Sequence, residues 1–273
     1  MKTLQRIGLL LAALLLSTGC ASKMEIIAHR GASYLAPENT VASAKLAWEK
    51  NADAVEVDVY LSADEQVVVI HDGTTKRTAG EELDVATSTT EQLRRLDVGS
   101  FKDAAYAGER IPVLEEIIET MPAGKRLFVE IKCGPEVLPA LERIIAESGK
   151  RSQIVIIGFG LETVTASKQL MPDLPTYWLV GTKKDEQTEQ WIAHSGTLAD
   201  QAAAAGLDGL NVHWAGVTEE FARSVRKTGL GLYVWTVNDS AEAARLAKIG
   251  IDGITTDRPG WLRNELAAAK RPF

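Results

Sequence analysis

Residues 54–72 read AVEVDVYLSADEQVVVIHD, and the way this stretch divides decides the fold. From Ala54 to Tyr60, Val55, Val57 and Val59 alternate with Glu56 and Asp58. This is the period-two pattern of a strand with two carboxylates on one face and branched apolar residues on the other. Gln66 to Ile70 is a second apolar, β-rich run, and only Ser62 to Glu65 or so separates it from the first. A parallel crossover needs about a dozen residues, so the two runs read as an antiparallel hairpin turning near Ala63 and Asp64. Its second arm returns His71 to the neighbourhood of Glu56 and Asp58.

With that arm set aside, eight β-rich runs remain: Glu25 to Ala28, Ala54 to Tyr60, Leu127 to Ile131, Ile154 to Ile157, Thr176 to Val180, Gly209 to Val212, Leu232 to Val237 and Gly253 to Thr255. Amphipathic segments such as Val41 to Lys50, Glu136 to Ser148, Glu219 to Thr228 and Ala241 to Ile249 lie between most of them. Strand alternating with helix argues for a parallel sheet, and eight units argue for a closed (β/α)₈ TIM barrel. Gly73 to Glu109 is polar, rich in Thr and Gly, and has no clear strand, so it reads as a small insertion of about 73–110 after the hairpin. Within it Thr89 to Leu96 forms a short helix with a threonine cap, and Ile111-Pro112-Val113-Leu114 leads into the helix before the Glu130 strand. No repeat, low-complexity tract or linker divides the chain, which makes residues 20–273 one domain.

The 273 residues are 45% hydrophobic, enough for a sizeable core. Residues 1–19 carry Lys2 and Arg6 ahead of an apolar stretch, Ile7 to Leu16, that is too short for a membrane span and reads as an export signal. Leu16-Ser17-Thr18-Gly19-Cys20 resembles a bacterial lipoprotein signal, which places a lipid on Cys20 and the protein on a membrane facing the periplasm or cell exterior. Ala21, in place of an aspartate after that cysteine, leans toward the outer membrane. Cleavage after Ala21, giving a soluble secreted protein, is the alternative. Losing Lys2 and Arg6 takes the net charge from −7 to −9, which excludes nucleic acid as a partner. Cys133 then has no obvious partner and reads as a small packed residue.

The polar residues at the ends of the strands read as a site, because a buried charge needs a partner or a metal. Glu130 and Lys132 repeat the spacing of Glu56 and Asp58, with Val129 and Ile131 on the opposite face. In a barrel these positions face the active-site mouth. Three carboxylates converging there raise one another's pKa unless a cation neutralises them, and their oxygens suit one hard divalent ion, Mg²⁺ or Ca²⁺. His29 and His71 each follow an apolar strand and suit general acid and base roles. Arg30 offers a planar fork for phosphate oxygens and Lys132 a point charge, so the substrate is anionic.

The ordered set His29-Arg30-Gly31, Pro37-Glu38-Asn39-Thr40, Glu56-Val57-Asp58-Val59, His71-Asp72, Arg77-Thr78, Ile111-Pro112-Val113-Leu114-Glu115-Glu116, Glu130-Ile131-Lys132, Trp235-Thr236-Val237-Asn238 and Gly253-Ile254-Thr255-Thr256-Asp257-Arg258-Pro259 resembles the glycerophosphodiester phosphodiesterases. The resemblance runs from about Ile26 to Trp261. It implies a (β/α)₈ barrel with a segment inserted after the second histidine. It also implies that Glu56, Asp58 and Glu130 hold the divalent metal, that His29 and His71 are the acid–base pair, and that Arg30 and Lys132 bind phosphate. Trp235 matches an aromatic of the family's site wall, where it packs against glycerol or serves the core instead. Ile157-Gly158-Phe159 departs from the pattern, since many members carry a serine before the phenylalanine. His213-Trp214 ends the sixth strand and reads as a surface or packed pair, and His194, in a polar helical stretch with Glu186 and Glu189, reads as solvated.

The expected activity is metal-dependent hydrolysis of a glycerophosphodiester to sn-glycerol 3-phosphate and an alcohol. The alternatives are a phospholipase D- or C-type hydrolase acting on lysophospholipids or phosphoinositides, and a non-catalytic binding lipoprotein.

Overall fold

A computed structural model describes residues 24–269, so the export signal and Cys20 lie outside the described residues. The strands are β1 (Glu25–His29), β2 (Ala54–Leu61), β3 (Val67–Val69), β4 (Arg126–Ile131), β5 (Ile154–Gly158), β6 (Thr176–Val180), β7 (Gly209–His213), β8 (Gly231–Trp235) and β9 (Gly253–Thr256). Eight of them pair in parallel in the order β1-β2-β4-β5-β6-β7-β8-β9, and β9 returns to β1, which closes the barrel. Among the strands β3 pairs with β2, antiparallel, with Tyr60 opposite Val68, and Val68 also bridges Val113 in the chain after the insertion. The second arm of the hairpin is therefore outside the ring, as the short connection requires.

Helices such as Val41–Glu49, Leu138–Glu147, Glu219–Lys227 and Ser240–Ile249 pack against the outside of the strands. The Glu219–Lys227 helix shows why they form. Thr218 accepts a hydrogen bond from the Phe221 N–H, Glu219 and Glu220 occupy the first turn, Arg226 and Lys227 the last, and Phe221, Ala222 and Val225 face the barrel. Inside the barrel, alternate residues of the strands meet: Ile27, Phe128, Val155, Ile157, Tyr177, Leu179 and Tyr233 form the filled interior. Its floor is closed by Arg126, which donates to Glu25 and, at 2.8 Å, to the Tyr233 hydroxyl. The space left open is at the opposite, C-terminal end of the strands.

The inserted segment has its own small core, in which Val85, Leu93 and Val98 pack on Val68, Ile70 and Ile111. Its capped helix, Thr90–Leu93, is shorter than the sequence suggests, and Thr89 supplies the cap. Asp64 in the hairpin turn accepts from Ser62 Oγ at 2.7 Å and from the Thr90 N–H at 2.8 Å, which ties the turn to this helix. The turn is thus tied to the segment the hairpin leads into. Cys133 is partly buried against the outer core and, among the described residues, forms no disulfide. Among the described residues no helix is long and apolar enough to cross a membrane.

Candidate active site

Strand register sets the first contacts. His29 pairs with Glu56 across β1 and β2, and Asp58 pairs with Glu130 across β2 and β4, so three strands place these groups side by side. Glu56, Asp58 and Glu130 are buried, and a carboxylate oxygen from each lies within 4.8 Å of the other two. Just beyond β1 the chain turns through two residues with left-handed backbone, Arg30 (φ 54°) and Gly31 (φ 81°). A Cβ on Gly31 would lie 2.6 Å from the Ser43 backbone, so glycine is required there. This turn aims the Arg30 N–H at Glu56 Oε2, 2.9 Å away, and folds the guanidinium over the mouth. Asn39, also left-handed, bonds Asp58 twice, donating to its carboxylate at 2.8 Å and accepting from its N–H at 3.2 Å.

The carboxylates have too few partners for three charges. Lys132 Nζ donates to Glu130 at 2.8 Å and lies 3.5 Å from Asp58, while Arg30 Nε lies 3.3 Å from Asp58. Burial, followed by the charges of Asp58 and Glu130, pushes Glu56 well above the ordinary carboxylate range. Burial and Asp58 push Glu130 up to about 7 against the pull of Lys132. Glu56 Oε1 is buried with no hydrogen-bond partner. An all-oxygen, buried donor set with one unsatisfied oxygen and excess negative charge fits a hard divalent cation.

This has a consequence for stability. A glutamate whose pKa is raised on folding favours the fold below its ordinary 4.5, and the benefit disappears as pH rises through the folded value, about 7 for Glu130. The metal-free protein therefore loses stability across that interval, and a cation in the triad restores it. Adding Mg²⁺ or Ca²⁺ to chelator-treated protein is expected to raise Tm, and by more at pH 8 than at pH 5.5. A rise equal at both pH values contradicts the assignment.

Both histidines sit on the rim with a carboxylate at Nδ1. His29 Nδ1 is 2.7 Å from Asp257 Oδ1, and Asp257 also accepts from Ser33 Oγ at 3.1 Å and from Asn238 Nδ2 at 2.5 Å. Burial works against the Asp257 charge, but the bonds led by His29 hold its pKa at about 2. His71 Nδ1 is 2.6 Å from Asp72 Oδ1, and Asp72 is held in turn by Arg77 Nε at 2.6 Å. The Ile70 N–H donates to the Asp58 carbonyl at 3.0 Å, so β3 delivers His71 beside the acids. With Nδ1 engaged, Nε2 of each ring is the nitrogen free for substrate.

His29, Arg30, Glu56, His71, Glu130 and Lys132 line one cavity of about 190 Å³. Ile157, Phe159, Leu179, Trp235 and Thr255 complete its wall. Trp235 is therefore a wall residue, held by its indole N–H on the Asn211 carbonyl at 3.1 Å. Phe159 meets it edge-on at 5.5 Å and is half exposed, although Gly158 rather than a serine precedes it. His213 stands behind the wall, 5.2 Å from Trp235, between Trp191 and Trp214. His194 is a correction: it lies in no helix and is buried, with Nε2 2.8 Å from the His213 carbonyl and its ring on Phe221. The acidic residues near it in sequence stay on the exposed loop, so charged neighbours along the chain misrepresent its surroundings.

Sequence reasoning assigned no role to Asp257, Asn238, Ser33, Asp72, Asn39 or Glu38, although most fall within the quoted motifs. The only signal for them was the clustering of polar residues at strand ends, which does not reveal partners.

The Glycerophosphoryl diester phosphodiesterase family profile matches residues 29–261. A glycerophosphodiester phosphodiesterase of Caldanaerobacter subterraneus is 33% identical, covering 89% of this chain and 97% of that protein. One of Bacillus subtilis is 29% identical, covering 85% of this chain and 83% of its own. The crystal structure of an Oleispira antarctica phosphodiesterase in complex with the product sn-glycerol-3-phosphate superposes with a TM-score of 0.81 at 26% identity, covering 89% of this chain and 96% of that one.

Proposed function

Because the chain belongs to the glycerophosphoryl diester phosphodiesterase family, we propose that it hydrolyses glycerophosphodiesters to sn-glycerol 3-phosphate and an alcohol by paired-histidine acid–base chemistry. It is a phosphoric diester hydrolase. The observation that carries the mechanism is that two carboxylate-backed histidines, a buried acid triad and two side-chain cations open onto one cavity. The product bound to the Oleispira relative supports the product named.

Glu56, Asp58 and Glu130 would hold one divalent cation, Mg²⁺ or Ca²⁺, which supplies charge neutralisation and polarisation at the phosphate. Arg30 and Lys132 complement the phosphate oxygens, with charge that matters more as negative charge builds up. Burial holds His71 below its ordinary value, so it is neutral at neutral pH and serves as the base, with Asp72 fixing the tautomer that leaves Nε2 unprotonated. His29, held at Nδ1 by the Asp257 carboxylate, donates the proton to the leaving oxygen. Trp235 and Phe159 offer apolar walls to the glycerol carbons.

The test is incubation of purified protein with glycerophosphocholine and glycerophosphoglycerol at saturating Mg²⁺ or Ca²⁺. Release of glycerol 3-phosphate is expected; none under any divalent ion overturns the reading. Action on lysophospholipids is a second reading, favoured by Phe159, Trp191 and Ile192, which expose apolar surface on loops of the face that holds the cavity. It predicts that long-chain lysophospholipids outcompete the deacylated diester. The non-catalytic alternative is disfavoured because both histidines and every acid converge.

A further inference from the structure

Among the ion pairs of the site, those of Glu38 serve neither the cation nor the reacting atoms directly. Glu38 Oε1 accepts from Arg30 Nη1 and from Arg77 Nη2, each at 2.8 Å, and Oε2 accepts from Arg77 Nη1 at 2.8 Å. The third nitrogen of Arg77, Nε, holds Asp72, and Asp72 holds His71. We propose that Glu38 is a positioning residue that couples the Arg30 guanidinium to the orientation of His71 through Arg77 and Asp72. The inference rests on the hydrolase reading for the roles of Arg30 and His71.

Four physical points support it. Both Glu38 oxygens are taken by guanidinium groups, and the residue lies outside the acid triad, so it is not a cation ligand. Arg77 is half exposed, and pairs of that kind contribute little to stability, so the arrangement is better explained by orientation. Arg30 also lies beside Asp58, with Nε at 3.3 Å. Without Glu38, the guanidinium would pair fully with Asp58 and compete with the cation for it. Burial opposes a charge on Glu38, yet the bonds from Arg77 and Arg30 hold its pKa at about 2, so it is ionised wherever the enzyme works.

The chain predicts shifts of opposite sign. His71 faces Asp58, Arg30, Asp72 and Lys132. Glu38→Gln leaves Arg30 and Arg77 uncompensated, which disfavours the imidazolium and lowers its pKa. Arg77→Gln removes a cation and frees Asp72 to serve His71 alone, which raises it. Loosening of the site would instead relieve burial in both variants and raise both values.

The experiment is NMR titration of the histidine Cε1 protons in the purified protein at saturating Mg²⁺. Relative to wild type, the His71 midpoint is expected to fall in Glu38→Gln and rise in Arg77→Gln, each by about half a unit or more, with His194 unmoved. The acid limb of kcat/KM should follow it. Glu38→Gln should lose on the order of 10²-fold in kcat/KM with KM raised, and Arg77→Gln should lose kcat with KM within about twofold of wild type. Shifts of the same sign, or no shift in variants that melt normally, overturn the proposal. Arg77 is exposed enough that its variant tests the chain even where Glu38→Gln fails to fold. Absence of turnover by the wild type defeats the hydrolase reading, while the titration still decides the coupling.

Discussion

Replacing His71 with alanine is expected to lower kcat by about 10² to 10⁴ while the barrel stays folded. The side chain projects from the end of the hairpin, 29% exposed, and its one hydrogen bond is to Asp72, so its loss leaves no buried cavity and no orphaned core group. The imidazole contributes where the proton moves. Because burial lowers its pKa from 6.5, the acid limb of kcat/KM in the wild type should lie below that value. His71→Ala should abolish that limb, and His29→Ala should give a comparable loss of turnover. Near wild-type kcat in either variant, with the substrate panel above, would remove the paired-histidine mechanism.

Glu56→Gln is expected to change activity and stability in opposite directions. Glu56 is fully enclosed by the other acids and the barrel, and its ionised form is disfavoured by burial and by the charges of Asp58 and Glu130. An amide of the same shape can still accept the Arg30 N–H through its oxygen, while its NH₂ group donates to the neighbouring carboxylates. The repulsion is then gone, so the metal-free variant should melt higher than metal-free wild type at pH 8, where the wild-type carboxyl is under most pressure to ionise. The same change removes a cation ligand. Turnover should fall by about 10³-fold or more, and the rise of Tm on adding Mg²⁺ or Ca²⁺ should shrink or vanish. A variant that keeps its activity, or that melts lower than wild type when metal-free at pH 8, would show that the triad is a structural cluster.

Much of this site could be read without coordinates because strands translate spacing into direction. Two carboxylates two residues apart on β2 must share a face, and the same holds for Glu130 and Lys132 on β4. The hairpin could be read as well, since a link of a few residues permits only antiparallel pairing. Partnerships were less accessible. Asp257 reaches His29 across the seam where β9 closes onto β1, and nothing local to either residue announces the other. Glu38 lies in a loop whose path depends on the left-handed turn at Arg30 and Gly31, a backbone state that a residue string does not display. His194 shows the converse: its polar neighbours along the chain suggested water, but the loop folds back under β7 and buries it.

The sequence by itself determined the strand count, the shared face of the strand carboxylates, the excluded ninth strand and the chemical class of the groups at the mouth. Those properties follow from the period of a strand and the reach of a short connection, both local to the chain. Only the tertiary structure decided which groups touch: the convergence of three acids on an unsatisfied oxygen, a carboxylate behind each histidine, and the arginine pair around Glu38. Barrel closure and register set those contacts, and hydrogen bonds operate over about 3 Å, a precision that spacing along a chain cannot encode.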